Sequence, residues 1–444
     1  MKTKTIAIIG FGKEGVCAAN YFKGAKVLIY DDKRKQEIDP FLFKKLKTQV
    51  IFYLNRPIDK KVDLIIRSPG VKPDHPQIVG LLQKGATQTT PTEIFFEKCP
   101  AKIIGVTGTK GKGTTSTLIY EMLKREYKDV FLAGNIGTPM LQILPEITRE
   151  SLVVLELSSF QLIDLKASPH IAVVLMITSE HLDWHNSTGQ YQQAKLPIIK
   201  YQKGDDSALI NQDFEVSRKF AAQTRAKVYF LSTKNETNGT FIKDGWIVSR
   251  IKKEDKICKT DKILLPGAHN LQNALAAVAV AKILDIKNQN IVKVLTTFKG
   301  LKHRLQLVKV VRGVKYYNDS FSTTPETTIA AIEAFISPKV LILGGSSKKS
   351  DFGAMGQKIK SDNSIKAVIL IGDEASRIRK AISGFSGSII EGAKNMAEII
   401  LKVAQISRTG DVVILSPACA SFGMFKNYED RGEQFIKEVN KLYE

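Results

Sequence analysis

Cysteine is scarce in this chain and never paired in sequence. Cys17, Cys99, Cys258 and Cys419 lie far apart with no CxxC motif among 444 residues. That excludes a disulfide framework and a cysteine-based zinc site, and it fits reduced thiols in a cytoplasm. Long apolar runs are absent too: none approaches the ~18 residues of a membrane span. A strand is expected from Thr5, which leaves no room for a signal peptide. Acidic residues are few, 44 against 66 Lys and Arg, for a formal charge of +22. Such an excess invites a nucleic-acid hypothesis. The basic clusters Lys33-Arg34-Lys35, Lys60-Lys61 and Lys252-Lys253 are dispersed, however, and no basic tract is interleaved with aromatics. The charge therefore reads as solvated faces, with a field that gathers anionic small substrates. The length implies about three domains.

The most telling segment runs from Gly105 to Thr115. The apolar pair Ile103-Ile104 enters it and a helical pattern from Ser116 to Leu123 leaves it. Between them, Gly108, Thr109, Lys110, Gly111, Lys112, Gly113, Thr114 and Thr115 form a glycine-rich turn at a helix N-terminus, the arrangement that cradles phosphates. Lys112 is placed to reach the terminal phosphates of ATP. Gly113 follows it where Ser or Thr is usual in such loops, so Thr114 is the expected hydroxyl for Mg²⁺.

Upstream, Thr5–Ile9 reads as a strand followed by Gly10, Gly12 and Gly15 in GxGxxG spacing. The next strand, from Val27 to Tyr30, ends in Asp31-Asp32, acids suited to a ribose hydroxyl. This pattern keeps an NAD-dependent oxidoreductase open as an alternative. A third strand, from Asp63, runs into Arg67-Ser68-Pro69-Gly70. In the middle of the chain, Leu152–Leu155 leads into Glu156, and a buried strand from Ile171 to Ile177 leads to Glu180, His181 and Asp183. A carboxylate and an imidazole at the ends of two such strands converge on the crevice beside the phosphate loop. Glu is a hard oxygen ligand for Mg²⁺ and a neutral His can complete the shell. Asn270 and Asn273 open a later helix, either as amides for a base or ribose or, for Asn270, as a helix cap. Toward the C-terminus, Tyr316–Ser320 ends a strand at Asn318-Asp319-Ser320, and Val340–Leu343 leads into Gly344-Gly345-Ser346-Ser347-Lys348.

Seven motifs in this order resemble the Mur ligases over essentially the whole chain: the loop 108–115, Glu156-Leu-Ser-Ser-Phe-Gln-Leu, His181-Leu-Asp, Leu265-Pro-Gly-Ala-His-Asn, Gly300-Leu-Lys-His-Arg, Asn318-Asp-Ser and Ser416-Pro-Ala-Cys-Ala-Ser. The second and last resemble the glutamate-adding branch of that family more narrowly. The resemblance implies an α/β protein of three domains: a Rossmann-like N-terminal domain (1–96) for the UDP end of the substrate, a central P-loop ATPase domain (97–301), and a Rossmann-like C-terminal domain (302–444) for the amino acid.

The resemblance also implies residue roles. Gly12, Glu14, Asp31, Asp32, Ser68, Pro69 and Gly70 would line the uridine-diphosphate pocket, and Asn135 would meet the muramoyl group. Glu156, His181 and a carbamylated Lys195 would form the metal site with Thr114 and, with Lys112, the catalytic set. Carbamylation replaces an ammonium that Mg²⁺ would repel with an oxygen anion. Asn270, Asn273, Arg304 and Asp319 would contact ATP; Thr323, Lys348, Ser421 and Tyr428 would hold glutamate. Two positions depart from the branch's pattern: Phe321, often lysine, and Tyr428, often phenylalanine.

The implied activity is ATP-dependent addition of D-glutamate to UDP-N-acetylmuramoyl-L-alanine through an acyl phosphate, with ATP and two Mg²⁺ ions. It implies a cytoplasmic monomer in peptidoglycan precursor synthesis, acting on small molecules with no nucleic-acid or membrane partner. The same chemistry with L-glutamate, a folylpolyglutamate synthase-like ligase and a nucleic-acid-binding NTPase remain the other readings. The N-terminal nucleotide-binding pattern argues against the folate enzyme, and the C-terminal motifs against the NTPase.

Overall fold

The computed structural model describes residues 4–347 and 350–443. Its framework is three mainly parallel sheets, as expected where apolar runs alternate with helical segments. The first holds β1 (Thr5–Ile9), β2 (Lys26–Asp31), β3 (Val50–Leu54), β4 (Leu64–Arg67) and β5 (Thr87–Thr89) in the order β3-β2-β1-β4-β5. All of its pairings are parallel. Helix Lys13–Tyr21 follows β1 directly, so the GxGxxG turn sits at the carboxyl edge of the central strand.

The second sheet has nine strands, in the order β14-β13-β12-β11-β10-β9-β6-β8-β7. Its parallel part comprises β6 (Lys102–Thr107), β7 (Val130–Gly134), β8 (Leu152–Glu156), β9 (Ile171–Val174), β10 (Ser207–Asn211), β11 (Lys227–Ser232) and β12 (Thr240–Lys243). The strands β13 (Trp246–Ser249) and β14 (Asp255–Lys259) close one edge as an antiparallel meander. The third sheet is ordered β15-β16-β20-β17-β18-β19, from β15 (Gln306–Val311), β16 (Val314–Asn318), β17 (Lys339–Gly344), β18 (Ile365–Ile371), β19 (Ser388–Ile390) and β20 (Val412–Leu415). Here only the β15–β16 hairpin is antiparallel.

Strands β6, β8 and β9 are buried on both faces, apart from Lys102 at the start of β6. Continuous apolar sequence is the consequence, and it is why these strands were legible. The strand expected over 171–177 ends at Val174. Beyond it the backbone serves the phosphate loop: Thr109 N–H donates to the Met176 carbonyl at 2.6 Å, and Thr178 N–H donates to Thr109 Oγ1 at 2.9 Å.

The chain divides into two compact units, one up to Lys262 together with Leu271–Leu295, the other Ile263–Asn270 together with Thr296 onward. The first two sheets belong to the first unit and the third sheet to the second. Among the described residues no helix is long and apolar enough to cross a membrane.

Gly15 allows the first helix to lie against its turn, because a Cβ there would stand 2.2 Å from the Gly10 carbonyl oxygen. Gly15→Ala must push helix Lys13–Tyr21 off the turn, at a cost of about 1–3 kcal/mol by the general scale for overpacking. Urea unfolding is expected to show a lower midpoint at unchanged slope; an unchanged midpoint would mean that the helix shifts without cost.

Candidate functional site

The phosphate loop joins β6 to helix Lys112–Leu123, and two of its glycines are structurally required. Gly111 has φ 87°, and a Cβ there would meet Asn273 Oδ1 at 2.3 Å; Gly108, at φ 157°, would meet Leu175 Cβ at 2.8 Å. Asn273 Oδ1 also accepts from Thr115 Oγ1 at 3.2 Å, so this amide braces the loop from the side. Lys112 Nζ lies 3.0 Å from both the Gly108 and Thr109 carbonyls. Lys110 reaches outward to Glu180 Oε1 at 2.5 Å. Gly113 is buried and Thr114 half-buried in the first helical turn.

Lys195 is the most unusual group at this loop. It is 1% exposed, yet its Nζ donates to the Gly108 carbonyl at 3.1 Å and lies 4.6 Å from the Tyr191 ring centroid. Burial, and then the Lys112 charge, hold the amine well below the ordinary lysine range against the pull of Glu180 and Glu156. Tyr191 in turn donates to Thr109 Oγ1 at 3.1 Å. Glu156, buried at the end of β8, accepts from Asn135 Nδ2 at 3.1 Å.

His181 lies exposed after β9 with a left-handed backbone, φ 56°, packed on Phe160 at 4.9 Å between ring centroids. Its Nε2 is 3.7 Å from Glu180 Oε2. Burial pushes the Glu180 carboxyl up, but Lys110, Lys112 and His181 outweigh it and hold the group below its usual range. Among the described residues no three His, Cys, Asp or Glu side chains gather as a ready-made cation cage. A divalent ion at Glu156 and His181 would therefore need a further oxygen donor.

The uridine-pocket candidates divide into two kinds. Asp31 is a structural acid: its Oδ2 accepts Phe11 N–H at 2.7 Å and its Oδ1 accepts Lys33 N–H at 3.0 Å. Asp32 is exposed, held by Tyr30 Oη at 2.7 Å and His75 Nε2 at 3.1 Å. Gly12 and Gly70 are exposed, with open space where a Cβ would stand. Ser68 Oγ donates to the Gly10 carbonyl at 2.8 Å, joining the two loops, with Pro69 half-buried between Ser68 and Gly70. Beneath them Arg67, fully buried, donates to the Ser68, Pro69 and Val71 carbonyls and to Asp164 Oδ2. Trp184 Nε1 donates to the Gly70 carbonyl at 3.0 Å, tying that loop to the His181 segment.

Asn273 belongs to the first unit and Asn270 to the second. Asn270 lies within the first turn of helix Ala268–Ile283, its Nδ2 donating to the Pro266 carbonyl at 2.6 Å, so it is not the capping residue. Asp319 is 4% exposed; Leu305 N–H donates to its Oδ1 at 3.1 Å and Ser416 to its Oδ2 at 2.8 Å. Burial raises its carboxyl to about 6 against those hydrogen bonds and the Arg304 charge. Arg304 stacks on Phe321, and Phe321 meets Tyr428 edge-on. Ser421 is buried and Thr323 half-buried; Lys348 lies outside the described residues.

Arg431 holds this region. Fully buried on helix Tyr428–Asn440, it donates to Ser320 Oγ and to the carbonyls of Ser320, Cys419 and Ala420.

Known proteins agree with this architecture. Three family models match in order: "Mur ligase MurD-like, N-terminal domain" over 4–89, "Mur ligase middle domain" over 106–281, and "Mur ligase, glutamate ligase domain" over 303–419. A UDP-N-acetylmuramoylalanine–D-glutamate ligase of Acetivibrio thermocellus is 38% identical over 100% of this chain and 97% of its own. The chain belongs to the Mur ligase family. A Geobacillus relative of the same name is 37% identical, over 99% of this chain and 98% of its own. Among solved structures, MurC from Thermotoga maritima superposes with a TM-score of 0.61 at 17% identity, covering 98% of this chain and 99% of that one. MurF from the same organism, in complex with ADP, gives 0.59 at 20% identity, covering 98% of each chain.

For this Mur ligase, sequence reasoning named Arg67 only as part of a strand-to-loop junction and passed over Arg431, Tyr191, His75 and Trp184. Only Arg67 carried a signal, its place at the end of an apolar strand.

Glu14 yields a pH prediction. One oxygen of its carboxyl is buried without a partner, and burial raises the group from 4.5 to about 7 against a hydrogen bond with Gln161. An acid raised on folding contributes stability that is complete below the unfolded pKa and lost as pH rises through the folded one. Unfolding free energy should therefore fall between about pH 4.5 and 7. Glu14→Gln should flatten that decline in denaturation curves taken across the window; an identical slope in both proteins would contradict the raised pKa.

Proposed function

We propose that the chain is a UDP-N-acetylmuramoyl-L-alanine–D-glutamate ligase, using ATP and Mg²⁺ in cytoplasmic peptidoglycan precursor synthesis and acting as a monomer. The observation that carries this reading is the gathering of Lys112 and Lys195 at the Gly108 carbonyl of a phosphate loop. Full-length relatives of that name support the substrate assignment.

The substrate carboxylate would attack the γ-phosphate of ATP, giving an acyl phosphate. The glutamate amine would then attack the acyl carbon, and collapse of the tetrahedral intermediate would release phosphate. Activation is required because a free carboxylate is a poor acyl donor. Lys112 would hold and balance the charge of the transferring phosphoryl group, as preorganised donors do in phosphoryl transfer. Bound Mg²⁺ would neutralise charge on the triphosphate.

Glu156 and His181 would hold that ion, with Thr114 at the phosphate side. Lys195 as a carbamate would be the missing oxygen donor, and its burial favours the uncharged amine that reacts with CO₂. Asp32 and the Ser68–Gly70 loop would bind the uridine-diphosphate end. Asn135 would meet the muramoyl group, Asn270, Asn273, Arg304 and Asp319 the nucleotide, and Thr323, Lys348, Ser421 and Tyr428 the incoming glutamate.

Phosphate release from ATP, assayed with UDP-N-acetylmuramoyl-L-alanine and D- or L-glutamate in parallel, tests the assignment. Turnover is expected with D-glutamate; exclusive use of the L form would point to a sister activity and trace to the Phe321 and Tyr428 departures. Lys112→Ala should lower the rate at least ~100-fold, the scale for a preorganised electrostatic group, with UDP-substrate affinity nearly unchanged. Lys195→Ala should lose most activity and regain part of it in high formate or acetate, while Lys195→Arg stays inactive. Wild-type turnover in Lys195→Ala would refute the carbamate.

A further inference from the structure

Phe321 is 41% exposed, large and apolar, in a turn where burial gives it little reason to be aromatic. Its contacts are specific nonetheless. The Arg304 guanidinium lies 3.8 Å from its ring centroid, a direct stack. Its other contact is edge-on to Tyr428, with centroids 5.2 Å apart and planes at 89°. The backbone enforces the pairing: Phe321 N–H donates to the His303 carbonyl at 3.0 Å, and Arg304 closes a turn onto Leu301 at 3.0 Å. Phe321 and Tyr428 both adjoin the Arg431 clamp, since Ser320 Oγ accepts from Arg431 Nε and donates to the Tyr428 carbonyl at 2.8 Å.

We propose that Phe321 is a positioning residue that sets the plane of Arg304 for the nucleotide phosphates. The proposal rests on the reading of Arg304 as a phosphate-binding residue. An aromatic face fixes the plane of a guanidinium lying over it, and the N–H edge of that plane is the part that recognises an anion. A lysine at 321 would instead place a second cation beside Arg304. This chain thus has an uncharged platform where a charge pair would repel, and the orientation it gives is less sensitive to salt.

A double-mutant cycle on the full-length enzyme tests this. Phe321→Ala is expected to lower kcat/KM for ATP about tenfold, with the melting temperature and UDP-substrate affinity little changed. Phe321→Trp should keep the wild-type value, and Phe321→Lys should fall as far as Ala while becoming more dependent on salt. In an Arg304→Ala background, Phe321→Ala should have no further effect on ATP kinetics. An undiminished loss in that background, or a loss confined to KM for glutamate through Tyr428, overturns the positioning role. Wild-type ATP kinetics in Arg304→Ala alone would refute the reading of Arg304 and take this proposal with it, an outcome distinct from an inert Phe321→Ala beside an impaired Arg304→Ala.

Discussion

A cation removed from water must have its donors satisfied within the protein, and that requirement organises loops at the strand ends of all three sheets. Arg67, Arg431 and Lys195 are all buried to within 1% exposure. Leaving such a group short of acceptors costs several kcal/mol. The chain meets the demand with backbone carbonyls, and the carbonyls it uses belong to loops at strand ends. Arg67 draws in the loop after β4, Arg431 draws together the turn after β16 and the loop after β20, and Lys195 is anchored to the first glycine of the phosphate loop. Loop shape is thus set from below.

The two arginines and the lysine answer differently because their chemistry differs. A guanidinium spreads its charge over five donors and keeps its proton: Arg431, surrounded by neutral acceptors, is pushed down by burial only to about 10. An ammonium is a compact charge that gives up its proton when desolvated. Lys195 has one carbonyl, a ring face and a neighbouring lysine, so its basicity drops steeply. The arginines behave as fixed pins; the lysine is pushed by burial toward its uncharged form. None of these three cations stands in the exposed basic clusters that composition brings to notice first.

Much of the framework was legible because parallel strands buried on both faces leave continuous apolar runs, as in Leu152–Glu156, and because loops that need glycine at positive φ announce themselves, as at Gly108 and Gly111. The candidate residues of the phosphate loop are contiguous for the same reason. Arg431 was not legible: its partners at Ser320 lie 111 residues away, and a charged residue on an amphipathic helix gives no local sign that it points inward. The Asp31-Asp32 pair shows the same limit at closer range. Both acids stand at the end of one strand, but only the fold assigns the first to the backbone of the glycine turn and leaves the second at the surface. Asn270 and Asn273 lie three residues apart in one helix, yet they fall in different compact units, a division that periodicity does not encode.

The clamp of Arg431 separates two properties that a binding loop usually carries together. Its hydrogen bonds go to main-chain carbonyls and to Ser320, so they hold the path of the chain without specifying the exposed side chains upon it. The side chain of a neighbour such as Phe321 can then be exchanged while the backbone beneath it keeps its course. In such an arrangement selectivity can drift by single substitutions without a passage through unfolded intermediates. Arg431 itself has no ready substitute, because a lysine in its place would lack the fork that reaches several carbonyls at once.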